Sequence, residues 1–237
     1  MSQGTSGPAA ALTGIRACVF DAYGTLFDFA TAAAGCAEIP EDRRAALTNL
    51  WRDKQLQYSW LRALQGAYVP FWQVTGDALD HALETLGLAG DDGLRERLLD
   101  LYRTLGCFPE VPSVLEALRR AGLVTAILSN GSSDMLSSAV EGAGLSGAFD
   151  AVLSVDEVKT FKPDRRVYQL AVDRLGVSAD AICFLSSNAW DAHAAAAFGM
   201  RVIWCNRYGQ RRDRLPGVPW REIRTLAELP PLLERPQ

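Results

Sequence analysis

The sequence predicts an α/β protein: a doubly wound, Rossmann-like parallel sheet with a helical cap inserted after its first strand. Two observations carry that expectation. Short, nearly continuous apolar runs recur along the chain, and after the first of them helical patterns separate one from the next. Once the first strand and its turn are passed, roughly 80 residues go by without a good strand before Val111, far more than an ordinary crossover contains.

The apolar runs are "RACVF" (16–20), "LVTAILS" (123–129), "AVLSV" (151–155), "AICFLS" (181–186) and "RVIWC" (201–205). Each is rich in Val, Ile, Leu or Phe and scarcely alternates, the pattern of strands covered on both faces of a parallel sheet. The long interval reads as three helices, about 41–66, 75–87 and 91–105. The chain therefore divides into a mobile N-terminal tail (1–13), an α/β core (14–29 and 107–237) and a helical cap (30–106). Beyond the cap, "VPSVLEALRRAG" carries a proline near its start and a glycine at its end. "SSDMLSSAVEGAGL" and "DRRVYQLAVDRLG" open on Ser or Asp and close toward Gly, as capped helices do. Strands alternating with helices through right-handed crossovers give the doubly wound core.

Composition narrows the function. The chain has 237 residues, 49% hydrophobic and 22% charged, with a net charge of -4. That diffuse acidity argues against nucleic acid or an anionic membrane as the main partner. No apolar run approaches the roughly 20 residues that span a bilayer. The opening "MSQGTSGPAAALTG" has no basic residue before Arg16 and no long apolar core, so it reads as a tail and not as a secretory signal. Cys18, Cys36, Cys107, Cys183 and Cys205 form no C-x-x-C pair, and three of them sit in predicted strands. They read as core residues kept reduced in a cytoplasm. With His81 and His193 as the only histidines, a His-rich metal site is not available.

Ligands of an open α/β sheet bind at the carboxyl ends of its strands, so the residues after each run describe the site. "CVFDAYGTLFDF" places Asp21 after the first, then Tyr23, Gly24 and Thr25. Ser129 and Asn130 follow the second, Lys162 and Pro163 lie beyond the third, and Ser186, Ser187, Asn188, Trp190 and Asp191 follow the fourth. Taken singly, Asp21 is a turn former, Ser129 a helix cap and Lys162 a surface charge. Together they bring a carboxylate, a hydroxyl, an ammonium and a polar cluster to one rim.

At this point "FDAYGTLFD", "ILSNGS", "VKTFKPDRRVY" and "FLSSNAWDA" resemble the four motifs of the haloacid dehalogenase superfamily. Tyr23, Arg52 and "SSNAWD" resemble its L-2-haloacid dehalogenase branch, and the likeness covers about residues 15–230. The resemblance implies hydrolysis of short L-2-haloacids to D-2-hydroxy acids through an aspartyl ester on Asp21. It assigns the halide cradle to Arg52, Asn130 and Trp190, each able to donate an N–H. Thr25, Ser129, Tyr168, Ser186, Asn188 and Asp191 would position Asp21, Lys162 and the hydrolytic water. Tyr23, Leu56, Phe71 and Trp190 would wall the pocket, and backbone N–H groups at the helix opening near Ser129 and Asn130 would bind the substrate carboxylate. The partners implied are a small anionic 2-haloacid and water, with a homodimer as the assembly.

The alternative is a metal-dependent phosphatase of the same superfamily. Such enzymes carry a second acid two residues after the nucleophile, where this chain has Tyr23, which cannot supply a low-pKa carboxylic acid. The final motif holds neutral Ser186, Ser187 and Asn188 before Asp191, too few carboxylates to hold Mg²⁺ well. No metal and no cofactor are therefore expected, and Lys162 would meet Asp21 directly. A non-enzymatic binding protein on the same fold is the other rival. The cap aromatics Trp51, Tyr58, Trp60, Tyr68, Phe71 and Trp72 read, as a group, as cap core or dimer interface. "GAGLSG" (142–147) ends a helix, which argues against a dinucleotide loop, and "NGS" at Asn130 has no secretory context. "RYGQRRDR" (207–214) reads as a solvated loop, and His193 is a lone histidine two residues past Asp191.

Overall fold

β1 (Ala17–Phe20) runs through the centre of a parallel sheet, and the rest of the core is arranged about it. The computed structural model describes residues 11–29, 39–90 and 92–233. Within these, the other strands are β2 (Val124–Ser129), β3 (Ala151–Ser154), β4 (Ile182–Ser186), β5 (Arg201–Cys205) and β6 (Arg221–Ile223). Their order is β3-β2-β1-β4-β5-β6, with every neighbouring pair parallel. All four residues of β1 are buried, because strands flank it on both edges and helices cover both faces, so its sequence cannot alternate. Phe20 stands in register with Ile127 of β2 and Leu185 of β4. The chain builds outward from β1 to β3 and then returns to place β4 on the other edge of β1. The carboxyl ends of β1 and β4 thus flank the point where the winding reverses, the place where such sheets form a crevice.

The five apolar runs coincide with β1 to β5. β6 has no such run: Arg221, Glu222 and Ile223 form a short edge strand with two charged positions, a composition that blunts an exposed edge and hides the strand from a hydropathy reading. Cys18 and Cys183 face each other in register, and the four cysteines among the described residues are free thiols. Cys36 lies outside the described residues.

Three helices are inserted after β1: α1 (Glu41–Gln65), α2 (Phe71–Thr85) and α3 (Asp92–Leu101). α1 buries Leu47, Trp51, Gln55 and Ser59, whose four-residue spacing makes one stripe. The stripe meets α2, where Trp51 Nε1 donates to Thr75 O (2.9 Å) and Gln55 Nε2 donates to Thr75 Oγ1 (2.9 Å). Tyr102, just past α3, donates to Gln55 Oε1 (2.9 Å). One buried amide is thereby satisfied at both ends and joins all three helices. Phe29, Trp51 and Tyr102 pack around it with ring centroids 4.4 to 5.3 Å apart.

Two helix limits differ from expectation. α2 begins at Phe71, not at 75: Thr75 resembles an N-cap in the sequence, but its hydroxyl donates to Phe71 O (2.8 Å) inside the helix, and Pro70 marks the start. α3 ends at Leu101, not at 105, where Tyr102 and Arg103 N–H groups turn back to Leu99 O and Asp100 O in a tighter last turn. The insertion leaves and rejoins the core side by side, with Asp28 N–H on Gly106 O (3.0 Å) and Phe108 N–H on Leu26 O (3.0 Å). Residues 1–10 of the expected tail and 30–38 of the expected cap lie outside the described residues. Leu12 is buried and its N–H donates to Leu232 O (2.8 Å), so the fixed chain begins earlier than the expected tail limit of 13.

The remaining helices are α4 (Val111–Arg120), α5 (Ser133–Gly142), α6 (Arg165–Leu175) and α7 (Ala189–Phe198). α6 shows why the sequence marks its ends. The Asp164 carboxylate accepts from Arg166 N–H (2.9 Å) at the start, and Gly176 adopts φ 64° at the finish.

The Gln55 network yields a stability prediction. Thr75→Val keeps the shape of the side chain but removes the acceptor for Gln55 Nε2, which is fully buried. Urea unfolding should show a loss of about 1–3 kcal/mol, the desolvation cost of an orphaned buried donor. A change below about 0.5 kcal/mol, the scatter of neutral surface substitutions, would show that the network does not hold the helices together.

Candidate active site

Asp21 is the first residue past β1, yet its N–H still bonds Leu185 O of β4 (2.8 Å), so the sheet itself fixes its backbone. The chain then turns sharply. Ala22 O accepts from the N–H groups of Thr25, Leu26 and Phe27, and Gly24 takes φ 81°, a conformation that costs a side-chain-bearing residue strain. The turn folds Thr25 back over the carboxylate. Asp21 Oδ2 accepts from Thr25 Oγ1 (3.2 Å), Ser186 Oγ (3.4 Å) and Asn188 Nδ2 (2.8 Å). Oδ1 accepts from Lys162 Nζ (3.1 Å). Donors from β4 and its following loop thus meet a carboxylate from β1 across the switch point.

Lys162 is 1% exposed and sits between two carboxylates. Its Nζ is 3.1 Å from Asp21 Oδ1 and 2.8 Å from Asp191 Oδ2. Burial alone would lower the ammonium pKa, but the charges of Asp191 and Asp21 outweigh burial and hold it above the ordinary lysine value. Asp191 is wholly buried, and burial raises its carboxyl. The Asp21 charge pushes the same way, and Lys162 and Tyr168 offset only part of the rise. Tyr168 OH donates to Asp191 Oδ1 (2.7 Å), and burial followed by the Asp191 charge keeps its phenol protonated well above the usual range. The result is a chain from Tyr168 through Asp191 and Lys162 to Asp21 in which every charged atom has a partner.

A cavity of about 20 Å³ opens on this chain. It is lined by Asp21, Tyr23, Arg52, Leu56, Phe71, Ser129, Asn130, Lys162, Asn188 and Trp190. The seven residues predicted to contact substrate or halide are all in this wall. Arg52 reaches down from α1, and its Nη2 donates to Asn188 Oδ1 (2.9 Å), so the guanidinium is linked through one amide to Asp21. Asn130 Oδ1 accepts from Lys162 N–H (2.9 Å), which leaves its Nδ2 hydrogens for other acceptors. Tyr23 OH and Trp190 Nε1 are buried without a hydrogen-bond partner among the described residues. Burial and the neighbouring Tyr102 and Asp21 keep the Tyr23 phenol protonated far above its usual range. Larger hollows exist, one of about 490 Å³ between Trp60 and Leu215, but the predicted residues converge on the small one.

Several expectations change. Ser129 Oγ accepts from Gly131 N–H (3.0 Å), and Ser133 N–H at the start of α5 is taken by Asp156 (2.8 Å), so the helix opening offers fewer free donors than expected. His193 does not line the cavity; its Nδ1 contacts the Gly217 carbonyl and it serves the fold there. Arg207, expected on a solvated loop, has a side chain only 8% exposed. Trp51 belongs to the interior of the insertion, whereas Phe71 of the same aromatic set lines the cavity. Two contributions were not assigned a role from the sequence, although Ser187 was already placed at the rim. Ser187 N–H donates to Thr25 Oγ1 (2.8 Å), and a Cβ at Gly131 would lie 2.9 Å from Tyr23 Cε2. The glycine in "SNGS" was the available signal for the second. Among the described residues, no group of three or more His, Cys, Asp or Glu is placed to share a metal ion.

Comparison with known proteins adds the following. The family model for haloacid dehalogenase-like hydrolases matches residues 15–199. The chain is 47% identical over 228 residues to (S)-2-haloacid dehalogenase 1 of Pseudomonas sp. (strain CBS-3), covering 93% of this chain and 97% of that one. It is 43% identical over 221 residues to (S)-2-haloacid dehalogenase 4A of Burkholderia cepacia, covering 93% and 96%. The structure of L-2-haloacid dehalogenase from Xanthobacter autotrophicus with chloropropionic acid covalently bound matches with a TM-score of 0.86 at 38% identity, over 92% of this chain and 98% of that one.

The Lys162 arrangement predicts a pH signature. Lys162→Met leaves Asp21 and Asp191 buried without their cation, which should cost about 3–5 kcal/mol near pH 8. Asp191 already binds its proton more tightly folded than unfolded, and losing Lys162 strengthens that preference. For an acid with a raised folded pKa, the penalty is present above that pKa and fades as pH falls toward the unfolded value. Urea unfolding relative to wild type should therefore show a smaller deficit at pH 5 than at pH 8. A deficit independent of pH would contradict this electrostatic account.

Proposed function

Because the chain belongs to the haloacid dehalogenase-like hydrolases, in their L-2-haloacid dehalogenase branch, we propose that it hydrolyses short L-2-haloacids to D-2-hydroxy acids and halide through an ester on Asp21. The observation that carries the reading is the Asp21–Lys162–Asp191 arrangement. A nucleophilic carboxylate stands at the switch point with its charge met by a buried ammonium, and Tyr23 occupies the place of a phosphatase's second acid.

A carboxylate is anionic at neutral pH without a dedicated base, unlike a serine hydroxyl, and halide needs no acid to leave. One Asp21 oxygen forms a bond to C2 as the carbon–halogen bond breaks, and the electron pair of that bond departs with the halide. Arg52, Asn130 and Trp190 receive the anion: all three line the cavity, and the Trp190 N–H has no acceptor among the described residues. The attacking oxygen is Oδ1, which carries one donor, while Oδ2 with its three donors becomes the ester carbonyl. Water then adds at the Asp21 carboxyl carbon. Negative charge develops on Oδ2, where Thr25, Ser186 and Asn188 stand. The acyl–oxygen bond breaks, one proton of the added water passes to the departing oxygen and the other to solvent, and the 2-hydroxy acid leaves with an oxygen that came from Asp21. Tyr168 supports the site from behind through Asp191, Ser129 stands in the cavity wall, and Lys162 and Arg52 offset the repulsion between Asp21 and the substrate carboxylate.

A cavity of about 20 Å³ holds little more than a water molecule, so substrate must displace its walls. Arg52 and Leu56 come from α1 and Phe71 from α2, which supports a reading of the insertion as a cap that opens for binding. The protein acts in the cytoplasm as a homodimer in this reading. Exposed Leu61 and Leu64 on α1 support a second copy. No helix among the described residues is long and apolar enough to cross a membrane.

Incubation with L-2-chloropropionate should release chloride and yield D-lactate, and excess chelator should leave the rate unchanged. Activity that chelator abolished and Mg²⁺ restored, or hydrolysis of a phosphate ester in place of halide release, would return the protein to the phosphatase reading.

A further inference from the structure

Thr25 touches Asp21 through its side chain, while its main chain is held from elsewhere. Its Oγ1 donates to Asp21 Oδ2 (3.2 Å) and accepts from Ser187 N–H (2.8 Å). Its carbonyl oxygen accepts from Arg207 Nη2 (2.8 Å). Arg207 lies two residues past β5, and its environment is that of a built site. Nη1 donates to Glu110 Oε1 (2.7 Å), and the guanidinium carbon lies 3.7 Å from the Phe108 ring centroid. Glu110 also accepts from Thr225 Oγ1 (2.8 Å) and Leu226 N–H (3.3 Å). Burial raises its carboxyl, but its own backbone N–H, followed by Arg207 and Thr225, outweigh that and hold it below the usual range. The ion pair is thus fixed by the segment that returns from the insertion and by the segment after β6. Its other arm rests on the turn that carries the nucleophile.

We propose that Arg207 is a positioning residue for the dehalogenation reaction, acting through Thr25 to fix the Asp21 carboxylate; the inference rests on the reading of the site given above. Within the turn, Ala22 O gathers the N–H groups of Thr25, Leu26 and Phe27. The Thr25 carbonyl is not part of that set, and Arg207 supplies its donor. A planar guanidinium offers separate N–H groups in fixed directions, so one side chain can serve Glu110 and Thr25 at once. A lysine ammonium keeps the charge for Glu110 but lacks the fork. Misplacing a reacting group by about 1 Å costs on the order of 100-fold in rate, so even a small drift of this turn reaches the chemistry.

Arg207→Lys and Arg207→Ala test this by chloride release from L-2-chloropropionate, with melting curves used to count folded protein. Arg207→Lys should keep the ion pair and the fold, yet lose about tenfold or more in kcat while KM stays within about twofold. Arg207→Ala should lose at least as much kcat, and tens of millimolar guanidinium should restore part of it. A purely structural residue would lower Tm without changing kcat per folded molecule, and added guanidinium would not help. Wild-type kcat in Arg207→Lys would overturn the proposal, and that variant decides the matter if Arg207→Ala does not fold. Wild-type protein with no turnover of 2-chloropropionate would overturn the dehalogenase reading itself, and this inference with it.

Discussion

One buried ammonium organises the site. Lys162 stands between Asp21 and Asp191, and without it two carboxylates would face each other in a region closed to water. Desolvating three charges is expensive, and the cost is met only because each has further partners. Asp191 takes a hydrogen bond from Tyr168, Asp21 takes three from Thr25, Ser186 and Asn188, and the backbone of Lys162 donates to Asn130. The ammonium lies between the two acids, within hydrogen-bond distance of both.

The fold exists, at this locus, to bring those partners together from distant parts of the chain. Asp21 and Lys162 are 141 residues apart in sequence, and Arg52 and Asn188 are 136 apart. A parallel sheet whose winding reverses between β1 and β4 delivers both strand ends to one crevice. The insertion then closes over that crevice, and its contribution is distinct. α1 brings Arg52, which bonds to the same Asn188 that bonds Asp21, so the cap side of the site and the nucleophile share one amide. Movement of α1 away from the sheet would break that link.

Much of this was legible in the sequence, for identifiable reasons. β1, β2, β4 and β5 are covered on both faces and appear as continuous apolar runs; β3 shows the same run although it is an edge strand with Val152 exposed. The residues after each run are the rim by geometry alone, which is why Asp21, Ser129, Lys162 and Asn188 could be named together. What stayed hidden lacked a local signal. β6 is short and charged. The start of α2 was obscured because Thr75 can cap a helix or, as here, bond back inside one. Arg207 shares its stretch with four other charged residues and a glutamine and looks like solvated chain, yet its burial depends on Glu110 and Phe108, almost a hundred positions away. Long-range partners of this kind cannot be read from spacing.

In the proposed reaction Asp21 forms a covalent ester that water opens at the Asp21 carboxyl carbon. A single turnover in oxygen-18 water, with enzyme in excess over L-2-chloropropionate, tests it most directly. The label should enter the peptide containing Asp21, and the lactate hydroxyl should carry unlabelled oxygen. Label in the lactate, with none in that peptide, would mean that water attacks C2 itself. Asp21 would then be at most a general base.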